Sequence, residues 1–167
     1  MVSNIFLGLG SNVGDRLSYL KLAVERILKA GNCFLKKSSS IYETRPYGNL
    51  EQGNFFNAVI QIDTALKPDK LFEFVKSVEI VLGRRETKKK WAPREIDIDI
   101  LFYNQLIYIE NYLVIPHPEV LKRDFVLIPI IEIASDFSHP VIKKKLCNLD
   151  LNLLESYIIN KTDYKLI

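Results

Sequence analysis

Segments of period-two and period-3.6 hydrophobicity follow one another along this 167-residue chain in the order β-α-β-β-α-β, followed by a tail. That order predicts an α+β fold: a ferredoxin-like antiparallel sheet with both helices packed on one face, and a C-terminal extension. The length suits one hydrophobic core, and no internal repeat, linker or low-complexity tract divides the chain, so residues 1–167 are expected to form a single domain.

Each element has a local warrant. Asn4 to Gly10 reads as a buried strand, and it ends in Gly10-Ser11-Asn12-Val13-Gly14-Asp15, a tight turn in which Asn12 or Asp15 caps a helix. Leu17, Leu20, Val24, Ile27 and Leu28 then recur at helical spacing, with Gly31 as the stop. Phe34 to Thr44, rich in serine and β-branched residues, predicts a strand that Arg45-Pro46-Tyr47-Gly48 breaks. Phe56, Ala58, Ile60 and Ile62 alternate with Phe55, Asn57, Val59 and Gln61 as a further strand. Pro68 suits the first turn of a helix carrying Leu71, Val75, Val78 and Leu82, and Gly83 suits its end. Ile96 to Tyr103 is again a strand. A hairpin-like region spans Gln105 to Ile115, and His117-Pro118-Glu119 is expected to open a short helix.

At 48% hydrophobic and 26% charged residues the chain reads as globular, and a net charge of +3 is too small for a whole-protein nucleic-acid footprint. Cys33 and Cys147 fit neither metal-ligand nor redox spacing and are expected to be buried reduced thiols. The opening residues show neither a basic leader nor a long apolar stretch. Phe125 to Ala134, the longest nearly apolar segment, is too short to span a bilayer and contains Glu132, so a cytoplasmic location is expected.

The chemistry concentrates in Lys90-Trp91-Ala92-Pro93-Arg94-Glu95-Ile96-Asp97-Ile98-Asp99. A strand there sends Ile96, Ile98 and Ile100 to one face and Asp97 and Asp99 to the other. Neighbouring carboxylates raise each other's pKa, and a divalent cation relieves that repulsion. Upstream, Arg84, Arg85, Lys88, Lys89, Lys90 and Arg94 crowd into eleven positions against the single acid Glu86. Carboxylate-bound magnesium beside mobile cations is equipment for a polyphosphate. The pattern by itself equally suits the wet face of an amphipathic strand next to a solvated loop. Gly8-Leu9-Gly10-Ser11-Asn12-Val13-Gly14 is one residue too long for a dinucleotide fingerprint and lacks the Gly-Lys-Ser/Thr of a P-loop. Phe55 and Asn57 share a strand face, offering a ring to stack on and an amide to pair with a flat heterocycle.

Taken with Tyr42-Glu43-Thr44-Arg45-Pro46-Tyr47-Gly48, Glu79 with Gly83-Arg84, and Pro116-His117-Pro118 followed by Arg123-Asp124-Phe125, these motifs closely resemble the 6-hydroxymethyl-7,8-dihydropterin pyrophosphokinases of folate biosynthesis. The resemblance runs from about Ile5 to Ala134; the tail from Ser135 onward adds little to it. It implies a single catalytic domain, acting as a monomer, in which ATP is co-substrate and donates its terminal diphosphate to the pterin hydroxymethyl oxygen, releasing AMP. Asp97 and Asp99 are implied as ligands of two Mg2+ ions, and with Arg84 and Arg94 they make up the implied catalytic set. The resemblance assigns Thr44, Tyr47, Phe55, Asn57, Trp91 and Phe125 to the pterin, Phe55 and Phe125 sandwiching the ring and Asn57 reading its edge. It assigns Glu79, Arg84, Trp91, Arg94, Ile100, His117 and Arg123 to ATP, with the cations on phosphates and Glu79 and Ile100 nearer the nucleoside. It implies neither nucleic acid nor membrane as a partner.

Three positions depart from the family pattern. Glu86 stands where many members have a basic residue, which points to Arg85 or Lys88 as the loop cation. Ala92 replaces a glycine and stiffens the loop. Phe55 stands where some members have tyrosine. An RNA-recognition module shares the expected sheet, but its aromatic strand motif is absent and Asp97 and Asp99 would repel a nucleic-acid backbone.

Overall fold

The computed structural model describes residues 4–29, 32–48, 51–84 and 92–167. The expected helix stop Gly31, the loop residues Arg85 to Lys90 and Trp91 lie outside the described residues. Within them the order is β1 (Ile5–Ser11), α1 (Arg16–Lys29), β2 (Cys33–Ser38), β3 (Tyr42–Thr44), β4 (Phe55–Thr64), α2 (Pro68–Val81), β5 (Asp97–Tyr103), β6 (Tyr108–Glu110), β7 (Leu113–Ile115), α3 (Asp124–Ala134) and β8 (Ile158–Lys161). The main sheet runs β5-β1-β4-β3-β8, with β2 also paired to β4, and its pairings are antiparallel. β6 and β7 form a separate hairpin.

Strand alternation divides the sheet into two faces. Leu7 and Leu9 of β1, Ile60 and Ile62 of β4, and Ile98 and Ile100 of β5 pack against Leu20, Val24 and Ile27 of α1 and Leu71, Val75 and Val78 of α2. On the opposite face Phe6, Val59, Leu101 and Phe102 meet Val126, Leu127, Ile130 and Ile133 of α3, together with Phe137 and Leu146. A register shift between β1 and β5 at Phe6/Leu7 lets the consecutive residues Leu101 and Phe102 both join this second core. The covering helix α3 was not among the expected elements. Its sequence is apolar nearly all round and carries Pro129, so no period marks it.

Other expectations are corrected locally. Phe34 to Thr44 is two strands: the Ser39 hydroxyl accepts the Val59 N–H at 2.9 Å, and Ser40 turns to Glu132, so serine side chains interrupt the ladder. The segment after His117 is a pair of turns, Val120 N–H to His117 O and Lys122 N–H to Glu119 O, before the extended Arg123 opens α3. Cys33 is buried and burial pushes its thiol up, but Cys147 is exposed in a short 3-10 turn, where the core does not reach it. The tail is structural: β8 extends the sheet beside β3, and Leu166 enters the first core. Among the described residues no helix is long and apolar enough to cross a membrane.

Glu132 ties these additions together. It accepts from Ser40 N–H at 3.1 Å and Oγ at 2.7 Å, Tyr42 Oη at 2.9 Å and Lys161 Nζ at 3.2 Å. Burial opposes its charge, yet the Ser40 and Tyr42 donors outweigh burial and hold the carboxyl below its usual 4.5, while burial and Glu132 push Tyr42 up to about 12. A carboxylate with a lowered native pKa stabilises the fold above its unfolded value and loses that contribution as pH falls through the native one. Glu132→Gln is therefore expected to cost about 1–3 kcal/mol in urea unfolding near neutral pH. The gap to the wild type should close as pH is taken below 4.5; a gap independent of pH would contradict this role.

Candidate active site

The half of the second face that α3 leaves uncovered opens into a cleft of about 470 Å³, lined among others by Gly8, Gly10, Thr44, Tyr47, Phe55, Asn57, Lys76, Arg84, Arg94, Asp97, Asp99, His117, Arg123 and Phe125. β1 makes the room. Gly8 pairs with Asp99 and Gly10 with Asp97, so the strand beside the carboxylates presents no side chain on that face. A Cβ on Gly10 would lie 2.7 Å from Asn57 Oδ1. Close approach, rather than phosphate cradling, accounts for this glycine. Asp15 caps α1, accepting the Ser18 N–H at 3.0 Å, as the turn predicts.

Helix α2 supplies the floor. It ends in a Schellman arrangement: Gly83, at φ +101°, donates to Ile80 O, and Arg84 N–H reaches back to Glu79 O. The reversal lays the Arg84 guanidinium between Glu79, with which it bonds, and Asp97 Oδ1, 2.7 Å away. Arg94 Nη1 takes Asp97 Oδ2, also at 2.7 Å. Asn12 fixes the backbone of Arg94, accepting its N–H at 2.9 Å and donating its own to Arg94 O at 3.2 Å. Glu79, 2% exposed, accepts Lys76 Nζ at 2.8 Å and the Ile98 N–H at 2.6 Å. Lys76 also donates to Ile98 O at 2.8 Å and stands 3.6 Å from Asp99.

Burial raises the Asp97 carboxyl, but Arg94, Lys76 and Arg84 together outweigh burial and hold it below the usual carboxylate range. For Lys76 burial is the largest single influence, and Asp99, Asp97 and Glu79 overcome it to keep the amine charged. Glu79 is pushed up, because burial and the neighbouring Asp97 outweigh its cationic partners. Burial lowers His117, with Arg123 adding to the effect against Asp99. Its Nδ1 accepts the Glu119 N–H at 3.2 Å, so the neutral ring carries its proton on Nε2, 3.9 Å from Asp99.

The other end of the cleft is flat and amide-lined. Asn57 Nδ2 donates to Thr44 Oγ1 at 2.8 Å, which fixes the amide. Phe55 lies two residues away on the same face, and Tyr47, whose Oη bonds Glu119 at 3.2 Å, contacts Phe125 edge-on at 6.2 Å. The Arg123 guanidinium stands 4.6 Å over the Tyr47 ring. A smaller cavity of about 230 Å³ shares Asp99 and His117 with the cleft and is bordered by Phe72, Ile100 and Tyr112.

Most expected residues therefore converge. Thr44, Tyr47, Phe55, Asn57, Arg84, Arg94, Asp97, Asp99, His117, Arg123 and Phe125 line one cleft, and Ile100 borders the adjoining cavity. Glu79, expected near the nucleoside, lines neither; both its oxygens are turned inward to Lys76, Arg84 and the Ile98 backbone. Trp91 lies outside the described residues. Sequence reasoning missed Lys76, whose i,i+3 spacing to Glu79 was a usable signal, and the partnership of Asn12 with Arg94, which no local pattern reveals. Among the described residues no group of three His, Cys, Asp or Glu side chains is arranged to hold a metal. Asp97 and Asp99 both line the cleft, and although the Asp97 oxygens here meet Arg84 and Arg94, two carboxylates are a hard donor set that suits magnesium completing its shell with phosphate and water.

The 7,8-dihydro-6-hydroxymethylpterin-pyrophosphokinase family model matches residues 6–135, which include the residues named above as lining the cleft. The chain belongs to this family. It is 43% identical over 145 residues to the 2-amino-4-hydroxy-6-hydroxymethyldihydropteridine pyrophosphokinase of Aquifex aeolicus, covering 87% of this chain and 89% of that one. It is 41% identical over 159 residues to the bifunctional protein FolKE of Lactococcus lactis subsp. lactis, covering 93% of this chain but only 45% of that protein. A Plasmodium falciparum HPPK-DHPS crystal structure shares the fold at a TM-score of 0.66 and 15% identity, over 87% of this chain and 44% of that one. The chain thus spans less than half the length of these two larger relatives, and the family match falls on the part that carries the cleft.

Gly10 gives a direct check on the geometry. Gly10→Ala should displace the Asn57 amide and break its bond to Thr44, lowering unfolding free energy by about 1 kcal/mol or more. Gly53→Ala, whose Cβ would meet Asn12 O at an ordinary 3.4 Å, should stay within about 0.5 kcal/mol of wild type. Equal effects of the two substitutions in denaturant unfolding would mean that Gly10 is not under this constraint.

Proposed function

We propose that this cleft is where the chain, a pyrophosphokinase of folate biosynthesis, brings ATP and 6-hydroxymethyl-7,8-dihydropterin together. One observation carries the reading: a carboxylate pair bracketed by cations on β5 and an amide held by Thr44 on β4 open into the same cleft, with only the glycines of β1 between them and the rings of Phe55, Tyr47 and Phe125 lining the amide's end. The pterin hydroxymethyl oxygen attacks the middle phosphorus of ATP. The bond from that phosphorus to the oxygen it shares with the first phosphate breaks, and AMP leaves. Thr44 and Asn57 pair with the pterin edge, and Phe55, Tyr47 and Phe125 supply its aromatic surroundings. Arg84, Arg94 and Arg123 neutralise phosphate oxygens, and neutral His117 donates its Nε2 proton to one of them. The nucleoside occupies the adjoining cavity beside Ile100, against Phe72 and Tyr112. Glu79 acts from below, holding Lys76 and Arg84 in place.

Asp97 and Asp99 would hold two magnesium ions, which supply charge neutralisation and orientation for an in-line displacement. We read the β5-β1-β4-β2 order as ferredoxin-like, with β3 and β8 added at the edge. The same reading describes residues 1–167 as one catalytic domain, monomeric and cytoplasmic, with neither nucleic acid nor membrane as a partner, and keeps the family resemblance's assignment of Trp91 to both substrates.

The deciding experiment identifies the nucleotide product. Incubation with magnesium, ATP and the reduced pterin should yield AMP in equal amount with the pterin diphosphate, and only when both metal and acceptor are present; stoichiometric ADP would sink the reading. Asp97→Asn and Asp99→Asn should each remain folded and lose about 3 kcal/mol or more of transition-state stabilisation, a rate decrease on the order of 100-fold to 1000-fold. Near-normal turnover at saturating magnesium would remove the metal assignment. Two carboxylates alone make a weak site. Magnesium without nucleotide should therefore hardly move the melting temperature, whereas magnesium with a non-hydrolysable ATP analogue at about 100 times its Kd should add about 2.7 kcal/mol of stability.

A further inference from the structure

Asp124 stands in the middle of the Arg123-Asp124-Phe125 motif, yet neither substrate explains it. It is 4% exposed and opens α3. Its Oδ1 accepts the Phe125 N–H at 2.7 Å, and its Oδ2 accepts the N–H groups of Tyr157 at 2.8 Å and Ile158 at 3.0 Å. A carboxylate at a helix N-terminus is favourable in itself. Here it also fastens the start of β8, more than thirty residues downstream, to the residue before Phe125.

We propose that the C-terminal segment 156–162 is a working part of the pterin pocket, with Asp124 and Tyr157 as positioning residues that set its aromatic wall. The proposal rests on the pterin reading of the cleft. Tyr157 is 9% exposed and packs its ring 5.2 Å from Tyr47 and 5.8 Å from Phe125, which are themselves in edge contact. Two rings of the cleft thus lean on a third from the tail. The Tyr157 hydroxyl donates to Glu155 at 2.7 Å, so the ring is held from its far end as well. Arg45 N–H donates to Tyr157 O at 2.9 Å, and the Arg45 guanidinium bonds Ser156 O. β8 then pairs Ile158 with Thr44, the residue that fixes the Asn57 amide.

The tail therefore reaches both the aromatic surroundings and the amide, and it does so on one side of the cleft. Asp97, Arg84 and Arg94 are held instead by α2, β5 and the loop joined to Asn12. A segment that merely stabilises the fold would affect both substrates alike. One that sets the pterin wall would separate them.

The test is steady-state kinetics and calorimetric melting of the full chain with magnesium, ATP and 6-hydroxymethyl-7,8-dihydropterin. Tyr157→Leu and Tyr157→Ala should lower kcat/KM for the pterin roughly 10- to 100-fold through a raised pterin KM, with KM for ATP changed by less than about twofold. Tyr157→Phe keeps the ring and should restore near-wild-type values. Asp124→Asn should show the same split, and it carries the test alone if the Tyr157 variants do not fold. Folded variants with unchanged pterin KM, or with both KM values rising in parallel, overturn the proposal. A wild-type chain that forms no pterin diphosphate fails at the functional reading underneath, a result distinct from either.

Discussion

The site depends on a charge balance at the start of β5. Asp97 lies between Arg84 and Arg94, and both guanidinium groups reach it at 2.7 Å. Glu79 sits beneath, shared by Arg84 and Lys76. Three cations thus face three carboxylates once Asp99 is counted with Lys76. Burial penalises the charges of Lys76, Glu79, Arg84 and Asp97 taken singly, and removing one partner would leave another uncompensated. The set therefore holds its members in one geometry. The same cations are the groups a polyphosphate needs, and the same carboxylates are the groups a divalent ion needs.

The sheet puts this balance where a substrate can reach it. One face is filled by α1 and α2, and the other is only half covered by α3. Strand alternation sends Ile98 and Ile100 into the first core and Asp97 and Asp99 to the uncovered half. The glycines of β1 keep the adjacent strip bare, and Asn57 occupies part of that space. Gly10 and Asn57 are therefore complementary: the absence of one side chain is what the placement of the other requires.

The supports of the cleft come from distant parts of the chain. Asn12 at the end of β1 holds the Arg94 backbone, eighty-two residues away. Gly83 reverses the chain so that Arg84 returns to Glu79. Glu132 joins α3 to β3 and β8, while Asp124 joins the head of α3 to the tail. At Asn12, Glu132 and Asp124 one polar side chain satisfies several groups that secondary structure leaves open, which makes the position specific as well as stable.

Much was legible in the sequence because it is written locally. The alternation in β4 and β5, the helical spacing of α1 and α2, and the Pro68 and Gly83 boundaries depend on neighbouring residues, and so does the separation of Asp97 and Asp99 from the isoleucines between them. The family motifs were legible for the same reason, since each occupies only a few consecutive positions. Other features required the tertiary structure. α3 has no polar face to reveal its period, and only the aromatic patch of Phe6 and Phe102 that it helps to bury makes it a cover. Serine hydroxyls split β2 from β3 by meeting β4 and α3. The inward turn of Glu79, the lysine beside Asp99 and the tail behind Phe125 arise from contacts between residues far apart in sequence, and no local pattern encodes which distant partner a buried polar group will find.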